Sequence, residues 1–127
     1  MSRLFIVMSL LAFGCAKAPL QTGEASWYGK EYRGRQTASG VPFRPGRLTA
    51  AHRGLAFGTV LKVTRVDTGE SVRVVVNDRG PYAKGRILDL SRGAARRLDL
   101  IQQGHTEVEL RVVGCRRRYQ SCAEGSR

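Results

Sequence analysis

Asp78 and Asp89 are the residues best placed to do chemistry, because each interrupts an apolar run in the stretch VRVVVNDRGPYAKGRILDLS where burial disfavours a carboxylate. Val72, Val74 and Val76 alternate with Arg73 and Val75, so an extended backbone presents one apolar face before the chain reaches Asn77. Asn77-Asp78-Arg79-Gly80-Pro81 then breaks the strand. Gly80 accepts backbone angles closed to other residues and Pro81 fixes its own φ, which displays Asp78 on a stiff turn beside a scaffold. The second run, Ile87-Leu88-Asp89-Leu90, ends at Ser91, a helix N-cap. An Asp just before a helix start commonly hydrogen-bonds backbone amides, so Asp89 is assigned a structural role, whereas Asp78 either caps its turn or is displayed for chemistry. A single positioned carboxyl can transfer a proton first as acid and then as base.

Strands must hold these residues. Val60 to Val66 is rich in β-branched side chains, Asp67-Thr68-Gly69 supplies a turn, and Val72 to Val76 returns, which predicts a hairpin. Thr106 to Val113 alternates cleanly, with Val108, Leu110 and Val112 inward and Glu107, Glu109 and Arg111 outward. Ala94, Ala95 and Leu98 share one face of a short helix after Ser91. Gly34 to Pro45 has neither period and reads as loop. Trp27 and Tyr28 belong either to a core strand or to an aromatic platform that stacks on sugar rings. His52, behind the small residues Thr49-Ala50-Ala51, is either a ligand-contacting donor or a satisfied interior side chain. The pattern predicts a mainly β fold, closed as a barrel, with one or two short helices.

The 127 residues accommodate one small domain. Met1-Ser2-Arg3 carries a positive charge, Leu4 to Phe13 is nearly all apolar, and Gly14-Cys15 follows, the layout of an export signal too short to span a membrane. Leu11-Ala12-Phe13-Gly14-Cys15 resembles the lipobox of bacterial lipoproteins, which implies cleavage behind Gly14 and a lipid on Cys15. Ala16 rather than Asp favours the outer membrane by the sorting rule of some bacteria. Residues 1–14 are thus expected to be a signal, 15–22 a tether, 23–114 the folded body and 115–127 a basic tail. Cys115 and Cys122 form an even pair suited to a disulfide in an oxidising compartment, and no spacing suits a metal. With 22 Lys plus Arg against 10 Asp plus Glu the net charge is +12, which calls for a polyanionic partner. The export signal argues against nucleic acid. Peptidoglycan carboxylates, acidic lipid head groups and surface polymers remain, or the arginine excess merely solvates the surface.

Ala25-Ser26-Trp27-Tyr28-Gly29, Thr37-Ala38-Ser39-Gly40, Leu48-Thr49-Ala50-Ala51-His52, Phe57-Gly58-Thr59, Val63-Thr64, Asn77-Asp78-Arg79-Gly80-Pro81 and Gly85-Arg86-Ile87-Leu88-Asp89-Leu90-Ser91 follow one another as do the motifs of the rare lipoprotein A family, which this chain resembles from about Gly23 to Val113. The resemblance implies a six-stranded double-psi β-barrel, shared with expansins and membrane-bound lytic transglycosylase A. It implies an exported, often lipid-anchored protein of the division septum, with division-machinery partners. The family includes lytic transglycosylases that cut peptidoglycan glycans stripped of stem peptides, without metal or organic cofactor. Many members carry a C-terminal SPOR domain, which this chain is expected to lack. By the same resemblance Asp78 and His52 are catalytic, and Ser39, Thr37, Arg79, Tyr28 and Trp27 contact glycan. One position departs: where the family commonly has a Glu needed for cleavage directly after Thr-Ala-Ser-Gly, this sequence has Val41. A hydrolase generally needs two carboxylates, whereas a lytic transglycosylase uses the sugar's own C6 hydroxyl as nucleophile and can work with one. That acid must hold its proton until glycan is bound, and desolvation under the sugar favours the neutral form. The alternative expectation is a module of the same shape that holds or loosens glycan without cutting it.

Overall fold

The computed structural model describes residues 20–119 and residue 122. Six strands, β1 (Gln21–Trp27), β2 (Thr49–Ala51), β3 (Thr59–Arg65), β4 (Ser71–Asp78), β5 (Arg86–Leu90) and β6 (His105–Cys115), close into one barrel in the order β1-β5-β2-β4-β3-β6. Closure removes the sheet edges that would otherwise present unpaired backbone groups. β1 and β5 pair in parallel, as do β2 and β4, while the other four pairings are antiparallel. The expected barrel with one short helix is therefore present, and the hairpin of β3 and β4 pairs Val63 with Val72 and Val60 with Val75.

Alternating side chains fill the interior. Leu61, Val63, Val74, Val76, Leu88, Leu90, Val108 and Leu110 are fully enclosed, each contributing about 1.5–3 kcal/mol of transfer free energy. Helix α1 (Arg92–Arg97) packs Ala94 and Ala95 onto this core, and Ser91 caps it by accepting from the Ala94 N–H at 3.3 Å.

Three expectations change. The first strand begins at Gln21, two residues ahead of the expected boundary, because the backbone of Gln21 and Thr22 pairs with Leu110 and Glu109. The last strand runs on to Cys115, past Val113. Val112, expected inward, is 51% exposed: β1 begins opposite Leu110, so beyond that point no described strand covers this side of β6. Cys115 and Cys122 are joined in the expected disulfide, with Cα atoms 5.8 Å apart. Tyr119 and Cys122 pack on Gly58, which has φ +91° and where a Cβ would collide with the Tyr119 side chain. The signal, Cys15 and most of the tether lie outside the described residues.

Arg65 ties the end of the helix to the barrel. Its Nε and Nη2 donate to the two Asp67 carboxylate oxygens at 2.9 and 2.7 Å, Nη1 donates to the Leu98 and Asp99 carbonyls at 2.8 and 3.1 Å, and Nη2 also reaches Gln103 Oε1 at 3.0 Å. A guanidinium this deeply buried is tolerable only because its donors are so fully engaged. Arg65→Met should lower unfolding stability in urea by about 3 kcal/mol, since it leaves two helix-end carbonyls unpaired. Hydrogen bonding from Arg65 holds the Asp67 carboxyl below its usual range. A carboxyl so lowered adds stability above its unfolded value near 4, lost as pH falls through the folded value. Asp67→Asn should accordingly flatten the acid limb of the stability curve, measured by denaturation at a series of pH values.

Candidate active site

A strict period of two would bury Asp78. Val72, Val74 and Val76 face the core, and the next residue of that set is Asp78 itself. The pairing with β2 skips a residue: Ala50 lies opposite Val76 but Ala51 lies opposite Asp78, so Asn77 is the extra residue of a bulge. Asn77, only 3% exposed, takes the inward place and Asp78 turns out, half-buried. β5 repeats the device. Arg86 lies opposite Glu24 and Leu88 opposite Ala25, which makes Ile87 the extra residue and brings Arg86 to the side of Asp89. Ala51 sits between the results, paired with Asp78 on one side and Asp89 on the other. The two Asp Cα atoms are thus roughly 10 Å apart, two strand spacings. Over them opens a cleft of about 350 Å³, walled by Tyr28, Tyr32, Arg35, Thr37, Phe43 and Arg79 among others.

Backbone amides anchor Asp78. Its Oδ1 accepts from the N–H groups of Ala38 and Arg79 at 2.9 Å each, while Oδ2 has no protein partner among the described residues. The Thr37–Gly40 turn is pinned to the end of β4 a second time by Ser39 N–H donating to the Asn77 carbonyl at 3.2 Å. The Thr37 and Ser39 hydroxyls stand 2.8 Å apart, and Thr37 Oγ1 donates to the Val41 carbonyl at 2.6 Å. Asp89 is held differently: Oδ1 accepts from Ser26 Oγ at 2.5 Å and pairs with Arg86 Nη2 at 2.9 Å, and Arg86 also donates to Ser26. Tyr28 Oη is buried beside the Thr49 hydroxyl. Burial first, and then the charge of Asp78, hold this hydroxyl well above the ordinary phenol range, so it stays a neutral donor.

The profile of the lytic transglycolase family matches residues 20–110, which contain the whole barrel short of its last residues. The chain belongs to this family. The endolytic peptidoglycan transglycosylase RlpA of Campylobacter jejuni is 47% identical over 92 residues, covering 72% of this chain and 34% of the relative. The RlpA of Synechocystis is 50% identical over 94 residues, covering 74% and 29%. The chain therefore spans about a third of the length of these relatives. Among solved structures, a variant expansin of Clavibacter michiganensis in complex with cellohexaose is similar with a TM-score of 0.55 at 25% identity, covering 74% of this chain and 51% of that one.

Of the residues that the family resemblance nominated, the fold brings Asp78, Thr37, Arg79 and Tyr28 to one cleft. Trp27 is corrected. It follows Ser26 and precedes Tyr28, both on the cleft side, so alternation turns its ring onto the core. Ser39 holds the turn and does not line the cleft. Asp89, assigned a structural role, does line it, and the capping duty falls to Ser91. Arg79 braces the cleft wall, its Nη1 donating to the His52 and Leu55 carbonyls at 3.1 and 2.8 Å and its guanidinium 3.9 Å over the Phe57 ring. Tyr32, Arg35 and Phe43 were not nominated, because a loop without period carries no signal of which side chains converge. Phe43 packs 4.6 Å from Tyr28, and Tyr32 meets the same ring edge-on at 5.8 Å.

His52 is not among the cleft-lining residues, and both ring nitrogens are engaged. Nδ1 accepts from the Gly54 and Leu55 N–H groups at 3.0 Å each, which leaves Nε2 to carry the proton and donate to Gln21 Oε1 at 2.9 Å. Burial, then Arg79 and Arg53, push its pKa below the ordinary value, favouring the neutral ring. Because the unfolded chain binds a proton more readily, this histidine should cost stability as pH falls below about 6.5. Nitrogen-15 NMR should find His52 protonated at Nε2 and titrating below that value; a midpoint at or above it would contradict the hydrogen bonding described.

Proposed function

We propose that this chain is an endolytic lytic transglycosylase that cleaves peptide-free peptidoglycan strands, with Asp78 as acid and then base. One observation carries the reading: the bulge at Asn77 displays Asp78 in an open cleft, with Oδ1 fixed by two backbone N–H groups and Oδ2 left to the substrate. Protonated Asp78 gives its proton to the glycosidic oxygen as the bond to the muramoyl C1 breaks. The resulting carboxylate accepts the proton of the C6 hydroxyl as O6 closes on C1, leaving a 1,6-anhydro end. Asp89, paired with Arg86 and lying across Ala51 from Asp78, supplies a second carboxylate facing the positive charge that develops at C1. Tyr28 and Tyr32 offer aromatic surface for sugar rings.

The wider setting is proposed on sequence grounds. Leu4 to Cys15 supports export and a lipid on Cys15, facing the periplasm from the outer membrane, with a part in septal wall remodelling. Among the described residues no helix is long and apolar enough to cross a membrane. Radiolabelled palmitate should enter the protein and be lost in Cys15→Ser.

A second reading is favoured by Val41 and by the likeness to an expansin with a bound oligosaccharide: a groove that holds or loosens glycan without cutting it. Incubation of the purified protein with peptide-free glycan should yield 1,6-anhydro ends by mass spectrometry, reduced about a hundredfold or more in Asp78→Asn while binding persists. Binding without new ends in the native protein would establish the second reading. Ends appearing only in Val41→Glu would mark a lapsed enzyme.

A further inference from the structure

Phe43 also walls a second cavity, of about 460 Å³, on its other side. Three arginines line it, Arg33, Arg44 and Arg47, together with Pro42 and Pro45. The two cavities are held against each other by backbone bonds. Gly34 N–H donates to the Phe43 carbonyl at 2.9 Å, and Phe43 N–H donates to the Arg35 carbonyl at 2.7 Å. Arg35 therefore reaches into the first cavity from the same short ladder that sends Arg33 to the second.

The ion pairs among the described residues are Arg65 with Asp67, Arg86 with Asp89 and His105 with Glu24, so none of the three groove arginines has a carboxylate partner. All three are exposed. Three uncompensated guanidiniums around one concavity repel one another and raise the local concentration of anions. The planar fork of each is shaped for a carboxylate. Phe43 lines both cavities, so a strand lying in the Asp78 cleft can continue past this wall into the second.

On a strand stripped of its stem peptides every muramoyl residue exposes a free lactyl carboxylate, whereas on a peptide-bearing strand the same carbon is a neutral amide. We propose that the groove of Arg33, Arg44 and Arg47 is a subsite for these lactyl carboxylates and selects peptide-free strands. This rests on glycan being the ligand of the neighbouring cleft.

The test measures binding of the native protein and of the Arg33→Gln/Arg44→Gln/Arg47→Gln variant by calorimetry to strands of equal length. The probes are peptide-free glycan, the same glycan with its lactyl carboxylates converted to methyl amides, and peptide-bearing glycan. The native protein should bind the free acid about tenfold more tightly than either other form, and the variant should bind all three within about twofold. In turnover the variant should raise KM and leave kcat unchanged, since Asp78 and its amide anchors are untouched. Equal binding of the methyl amide by the native protein, or a preference retained in the variant, would overturn the subsite. Peptide-bearing strands bound as tightly as the free acid would move the recognition to stem-peptide carboxylates and also overturn it. Absence of anhydro ends with the carboxylate preference intact would instead sink the transglycosylase reading and leave the subsite standing.

Discussion

A strand shows its side chains to opposite faces with a period of two, and this barrel must seal an apolar interior while placing carboxylates at its mouth. Those demands conflict at the end of β4, where the inward set Val72, Val74 and Val76 leads straight to Asp78. One extra residue, Asn77, resolves the conflict: it takes the buried place and the parity changes. Ile87 does the same for Arg86 on β5, so that Asp89 gains its guanidinium without a charge entering the core. The cleft exists because two strands on either side of Ala51 each carry one residue more than their partner.

The arginine excess is not a uniform coat. Arg65 is spent inside, closing the helix end; Arg79 braces the His52–Phe57 loop against the cleft; Arg86 serves Asp89. Each has structural acceptors. Arg33, Arg44 and Arg47 have none from a carboxylate and gather at one cavity. A net charge of +12 read as a single number hides the difference between cations bonded into the barrel and cations left exposed around one cavity.

What could be read from the chain follows from the range of the forces involved. The β3–β4 hairpin, the Ser91 cap and the inward face of β6 up to Leu110 are local patterns of apolar spacing and turn chemistry, and they were legible. Val112 was misplaced because its exposure depends on where a distant strand starts. That Asp89, held by Ser26 and Arg86, also faces the cleft was hidden for a related reason. A bulge is a mismatch between two strands, so neither strand alone reveals which face its polar residues will take. The loop residues Tyr32, Arg35 and Phe43 converge through bonds between segments that share no period. His52 was found as a notable residue but its role was not, because Nδ1 is taken by the Gly54 and Leu55 N–H groups of its own turn and Nε2 by Gln21, distant in sequence at the start of β1.

The substitution at position 41 bears on function through the same geometry. The Thr37–Gly40 turn holds Asp78 by the backbone N–H of Ala38, and its own shape is set by the Val41 carbonyl accepting from Thr37 N–H and Oγ1. Main-chain groups do this work, so a valine at 41 preserves the display of Asp78 as well as a glutamate would. What disappears is a second titratable oxygen beside the turn. For a reaction whose nucleophile is a hydroxyl of the substrate itself, the proton given to the leaving oxygen and the proton taken from that hydroxyl can pass through one carboxyl in turn. Asp89 remains opposite to face the developing charge. The proposed intramolecular displacement therefore asks for no glutamate at position 41.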